Sequence, residues 1–190
     1  MINNELINIK KELLPKIAIS SFDLTSFKNN LIHSNTIKNI ADSKLKNILR
    51  DNITRNYNNI EITKSGREAI DLVLNNLNLK KNDEICIITT TNLPYISGCV
   101  TKTINKYCRW SREITNNTKA IYIIHEFGYK CKQTINTSLP IIEDCAYYFT
   151  KRSNNDYDSD YLIFSLPKEF PISYGGLLFS KKILKTNTKL

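Results

Sequence analysis

Beyond residue 60 the chain is punctuated by short, unbroken apolar runs: DEICIIT, AIYIIHEFG, LPIIEDCA and DYLIFSL, with GGLLFS following as a fifth. A strand with one wet face alternates polar and apolar residues, whereas a strand covered on both faces reads as a continuous hydrophobic run. Such runs, separated by helix-length or loop-length segments, predict an α/β fold with a largely parallel sheet. One helix is explicit in TKSGREAIDLVLNNLNL, where Ser65 and Gly66 precede an apolar stripe of Ala69, Ile70, Val73 and Leu77.

The rest of the chain sets bounds. With 190 residues, 41% hydrophobic and 24% charged, it can bury one sizeable core. Apolar residues at helical spacing predict amphipathic helices over 2–13 (Ile2, Leu6, Ile9, Leu13, ended by Pro15) and over 36–50 (Ile37, Ile40, Ala41, Leu45, Ile48, Leu49). Residues 1–58 are therefore expected to be an N-terminal helical segment, and 59–190 the α/β domain. The net charge of +9 is spread along the chain rather than gathered in a block, and no RNA- or DNA-reading motif accompanies it. No apolar run reaches the length of a membrane span, and residues 1–14 do not read as a signal peptide, so a cytoplasmic protein is expected. The five cysteines are odd in number and contain no C-x-x-C pair, which argues against a disulfide framework or a zinc knuckle.

Open α/β sheets bind ligands beyond the carboxyl ends of their strands. Asp144 closely follows the apolar run 139–142, and Ser165 and Lys168 follow the run 161–164. Parallel neighbours would bring the carboxylate, the hydroxyl and the amine to one edge. The Ser65-Gly66-Arg67 turn adds a helix start, whose unpaired amides and positive dipole end suit a phosphate. An acid, a lysine, a serine and an anion-binding helix start are the parts that pyridoxal phosphate (PLP) requires. Glu143 next to Asp144 points to the opposite face of its strand, which leaves Asp144 alone as the candidate acid and argues against a metal-binding carboxylate pair. His125 reads as a structural, hydrogen-bonded histidine, and Trp110 with Arg109 and Arg112 as a half-buried surface group.

The order SGREA, DEICI, TKAIYIIHEFG, LPIIEDCA, FSLPK and then a glycine pair, over roughly residues 60–180, resembles the large domain of the DegT/DnrJ/StrS family of PLP-dependent sugar aminotransferases. The resemblance implies a three-layer, mostly parallel sheet like that of fold type I PLP enzymes. It implies Asp144 as partner of the pyridine nitrogen and Lys168 as the Schiff-base lysine. It also implies Ser165, Gly66 and Arg67 as phosphate ligands. Tyr95 is the nearest substitute for the aromatic residue that stacks on the ring, with Asn92 standing close to that residue's usual place. The implied reaction moves an amino group, commonly from glutamate, onto a nucleotide-linked keto-sugar for surface polysaccharides. The implied assembly is a homodimer or a complex with a partner chain.

The pattern also departs from the family. Tyr147 stands where a glutamine is usual, and Tyr174 where an acid is usual. The segment 101–119 is short, which leaves an element at the sheet edge in question. The chain ends at Leu190, soon after the glycine pair, and is expected to be an incomplete large domain lacking the C-terminal small domain. The alternative expectation is an inactive truncated paralogue that acts as an interaction or regulatory partner.

Overall fold

The computed structural model describes residues 57–92, 94–132, 135–148, 159–170 and 172–185. The helices expected at 2–13 and 36–50 lie outside the described residues. Among the described residues the elements run β1 (Asn59–Thr63), α1 (Gly66–Asn76), β2 (Glu84–Thr89), α2 (Gly98–Ile104), β3 (Arg109–Ser111), β4 (Thr118–Ile124), β5 (Ile141–Asp144), β6 (Tyr161–Ser165) and β7 (Gly176–Ser180), with a 3-10 turn at Leu166–Lys168. They build one seven-stranded sheet in the order β1-β7-β6-β5-β4-β2-β3.

All five apolar runs form strands. From β6 to β3 the neighbours are parallel, whereas β7 runs antiparallel to both β1 and β6. The carboxyl ends of β1, β2, β4, β5 and β6 therefore share one edge, the edge at which β7 begins. Two further strands complete the sheet. β1, NIEIT, alternates polar and apolar residues as an edge strand does. β3 is three residues, two of them exposed, and it occupies the other edge within the short 101–119 segment.

Alternation along the strands sorts the core into two faces. Ile85, Ile87, Ala120, Tyr122, Ile142 and Ile163 pack beneath both helices, against Ala69, Ile70 and Val73 of α1 and Val100 and Ile104 of α2. Of the stripe expected on α1, Ala69, Ile70 and Val73 are buried; Leu77 caps the helix and is half-buried, and Leu74 completes the buried face. On the opposite side, Leu162, Phe164 and Phe179 pack with Tyr57, Phe170 and Ile172, and Cys86, Ile121 and Ile123 with Cys131. Among the described residues that second face is covered by loops. No helix among them is long and apolar enough to cross a membrane.

The glycine pair has a packing reason. β7 starts so close to the β1–α1 turn that a Cβ on Gly176 would lie 2.5 Å from the carbonyl carbon of Ser65 and 2.6 Å from Thr63 Oγ1. Gly175 donates to Lys64 O at 2.8 Å and accepts from Leu166 N at 3.0 Å, tying the start of α1 to the turn that carries Lys168.

Candidate active site

α1 begins at a capped turn. Ser65 Oγ accepts from Glu68 N at 3.2 Å, and the Glu68 carboxylate reaches back to Lys64 N at 2.5 Å, a near-reciprocal capping arrangement. The cap uses the third amide of the helix. Gly66 and Arg67, the first two residues of α1, line a cavity of about 470 Å³ at the carboxyl edge of the sheet. At Gly66 a side chain would press on Ser165, whose Cβ would be 3.1 Å away. The helix start and the end of β6 are therefore in direct contact.

The same cavity is lined by Asp144, Ser165, Lys168 and Tyr95, so all six residues expected from the sequence converge there. Asp144 ends β5 on the helix-covered face and is 5% exposed. Its Oδ2 accepts from the Tyr122 hydroxyl at 2.7 Å and its Oδ1 from Ala146 N at 3.0 Å. Burial pushes the Asp144 carboxyl above the ordinary aspartate range, and these two hydrogen bonds pull it back. Burial also pushes the Tyr122 phenol well above its ordinary value, with the Asp144 charge adding to it, so the phenol keeps its proton to donate.

Lys168 is exposed at the end of its 3-10 turn. Its Nζ donates to Tyr147 OH at 2.6 Å and lies 4.6 Å from the centroid of that ring. Tyr95 stands at the mouth, 74% exposed. Asn92, in a left-handed conformation at φ 53°, accepts from Arg112 at 2.7 Å and does not line the cavity. Trp110 and Arg109 lie on the edge strand β3, also outside it.

Sequence reasoning missed Tyr122, which reads as one more apolar residue of β4, and the contact of Tyr147 with Lys168. It also missed Cys99, exposed on the cavity wall, whose Sγ sits 3.0 Å from an Arg67 guanidinium nitrogen. That hydrogen bond holds the thiol below its ordinary value.

Glu143 turns to the other face, where His125 Nε2 meets its Oε2 at 3.2 Å. Cys145 brings a third potential metal ligand within 4.8 Å. His125 Nδ1, however, accepts from Cys131 N at 3.1 Å, which puts the imidazole proton on Nε2, where it is donated to Glu143. A metal at Nε2 would have to displace that proton and break this arrangement. The group is a hydrogen-bonded unit whose His125 also lines the cavity.

Residues 43–189 match a family model described as "Putative PLP-dependent aminotransferase". The chain belongs to this family. PLP is the cofactor of this aminotransferase family, and the cavity suits it: a helix start with its positive dipole end for an anion, a buried acid with lone pairs to spare, and a lysine on the adjoining turn. No curated protein matches the chain. Among solved structures, the fold is similar to an aminotransferase from Psychrobacter cryohalolentis, at 17% identity and a TM-score of 0.51 over 66% of this chain and 38% of that one. It is also similar to NtdA from Bacillus subtilis, solved with bound cofactor PMP, at 15% identity and 0.54 over 96% and 43%. A third similar structure is GDP-4-keto-6-deoxymannose-3-dehydratase, solved with a trapped PLP-glutamate geminal diamine, at 17% identity and 0.51 over 66% and 40%. The chain spans less than half the length of each of these proteins.

Proposed function

We propose that this chain forms the cofactor-holding part of a PLP-dependent aminotransferase of the DegT/DnrJ/StrS type. Its substrates would be a nucleotide-linked keto-sugar and an amino donor such as glutamate, and its setting the cytoplasm. The observation that carries the reading is the convergence of the Ser65–Arg67 helix start, Asp144 and Lys168 on one cavity. PLP, when bound, supplies the electron sink for the pair released at the amine-bearing carbon.

The chain's own residues do the remaining work. The amides of Gly66 and Arg67 and the Ser165 hydroxyl hold the phosphate. Asp144 would face the pyridine nitrogen and hold its proton, and that positive charge would favour the carboxylate that burial disfavours. Lys168 is the covalent tether and the base that moves the substrate proton. Tyr95 covers one face of the ring. The keto-sugar assignment, and with it a role in surface polysaccharide synthesis, draws support from the sugar-nucleotide dehydratase among the similar structures. The exposed aromatic rim formed by Tyr95 and Phe127, 74% and 75% exposed, favours a second chain, identical or different, closing the mouth.

Titrating the purified chain with PLP tests this reading. The expected result is an absorbance band of lysine-bound cofactor that is absent from Lys168→Ala and weakened in Asp144→Asn; no band in the wild type would sink it. A second reading, an inactive paralogue that binds a partner, draws on the hold of Tyr147 on the lysine amine. It predicts no band together with stable co-purification of a partner.

A further inference from the structure

We infer that Tyr122 is a positioning residue, which holds the Asp144 carboxylate ionised and aimed into the cavity; its purpose rests on the proposed function, its physics does not. Tyr122 lies in the middle of β4 and is fully buried, flanked over residues 120–124 by Ala and Ile alone. A phenol there needs a partner, because burying an unpaired hydroxyl is costly. The register gives it one. Tyr122 stands beside Ile142, so its side chain shares a face with Asp144, two residues further along β5. The hydroxyl meets Oδ2 at 2.7 Å, while Ala146 N meets Oδ1.

Each oxygen is thus pinned by one donor, which fixes the plane of the carboxylate and leaves a lone pair on each. A donor whose own proton is held firmly stabilises the charged form of the acid. Phenylalanine would fill the same space and lose only that donor. The other titratable groups around Asp144 are Lys64 and Arg67 at the start of α1, Tyr95 and Cys99 before and on α2, His125 and Glu126 after β4, Glu143, Cys145 and Tyr147 along and after β5, and Lys168 and Tyr174 after β6.

The consequence for pH has a definite sign. The native carboxyl is raised above the ordinary value of 3.8, so its contribution to stability is fully present below about that pH and is lost as pH rises through the raised native value. The Tyr122 hydrogen bond opposes the loss. Removing it raises the native value further and enlarges the loss at neutral pH.

The test compares thermal unfolding of the cofactor-free chain at pH 4 and pH 7 for wild type, Tyr122→Phe, Asp144→Asn and the double variant. The expected penalty for Tyr122→Phe is about 5 °C at pH 7 and about 1 °C at pH 4. In the Asp144→Asn background that pH dependence should vanish, which separates Asp144 from His125. A penalty equal at both pH values, or one with the same pH dependence in the Asp144→Asn background, would mean that Tyr122 only packs and would overturn the inference. With PLP added at neutral pH, the Tyr122→Phe chain should bind about tenfold to a hundredfold more weakly. Failure of the wild type to bind PLP would instead sink the proposed function and leave the cofactor-free comparison to decide the role of Tyr122.

Discussion

Lys168 and Tyr147 are paired twice over: the amine donates a hydrogen bond of 2.6 Å to the phenol oxygen and also lies 4.6 Å from the ring centroid. Tyr147 in turn rests against Phe127, with ring centroids 5.8 Å apart. Tyr147 thus sets where the lysine amine waits. Tyr147→Phe keeps the ring and removes the acceptor, so it should free the amine. An exposed hydrogen bond is worth about 0.5–1.5 kcal/mol. The absorbance band of lysine-bound PLP should therefore form about two- to tenfold faster in Tyr147→Phe, measured by stopped flow. An unchanged rate would show that the contact has no hold on the amine.

Cys99 should be the most readily alkylated of the five thiols. It is exposed and held below its ordinary value by Arg67, whereas burial pushes Cys86 up and Cys108 up to about 11. A lower value means more thiolate at pH 7 to 8 and faster reaction with iodoacetamide. Arg67→Ala should slow that reaction several-fold and move its pH midpoint upward. Because Cys99 lines the cavity, saturating PLP should protect it, which peptide mapping after labelling would reveal.

The His125–Glu143 pair should tolerate Glu143→Gln, whose carbonyl can still accept from Nε2, with little change in Tm. Glu143→Ala strands a buried N–H donor and should cost about 1–3 kcal/mol in chemical unfolding. Added Zn²⁺ should leave the Tm of the wild type unmoved, since the proton on Nε2 closes the group to a metal; a stabilising shift abolished by Cys145→Ala would contradict the assigned tautomer.

Gly176→Ala should destabilise the chain by about 1–3 kcal/mol or more, because its new methyl would meet backbone rather than a yielding side chain. Ser65→Ala, which removes only the cap, should cost about 1 kcal/mol. Denaturant midpoints would rank the two.

What could be read from the sequence was what continuous burial writes into it. β2, β4, β5, β6 and β7 are covered on both faces and appear as apolar runs, and Asp144, Ser165 and Lys168 were found because each follows such a run. β1 escaped because NIEIT is an alternating edge strand within Asn-rich sequence, and β3 because three residues carry no period. The direction of β7 was also hidden, since an apolar run does not record which way it points. Tyr122 was invisible for a further reason. Its partner is 22 residues away on the next strand, and only the register of β4 against β5 brings phenol and carboxylate together.

The approach of Gly176 to Ser65 reaches beyond local packing. Lys64 O, Gly175 and Leu166 N form a continuous main-chain link from the start of α1 to the turn that ends in Lys168. The spacing between the helix-start amides and the lysine turn is therefore a property of the backbone, preset before any ligand arrives. Side chains around the cavity can change what is bound without altering the length of the molecule that fits between those two points.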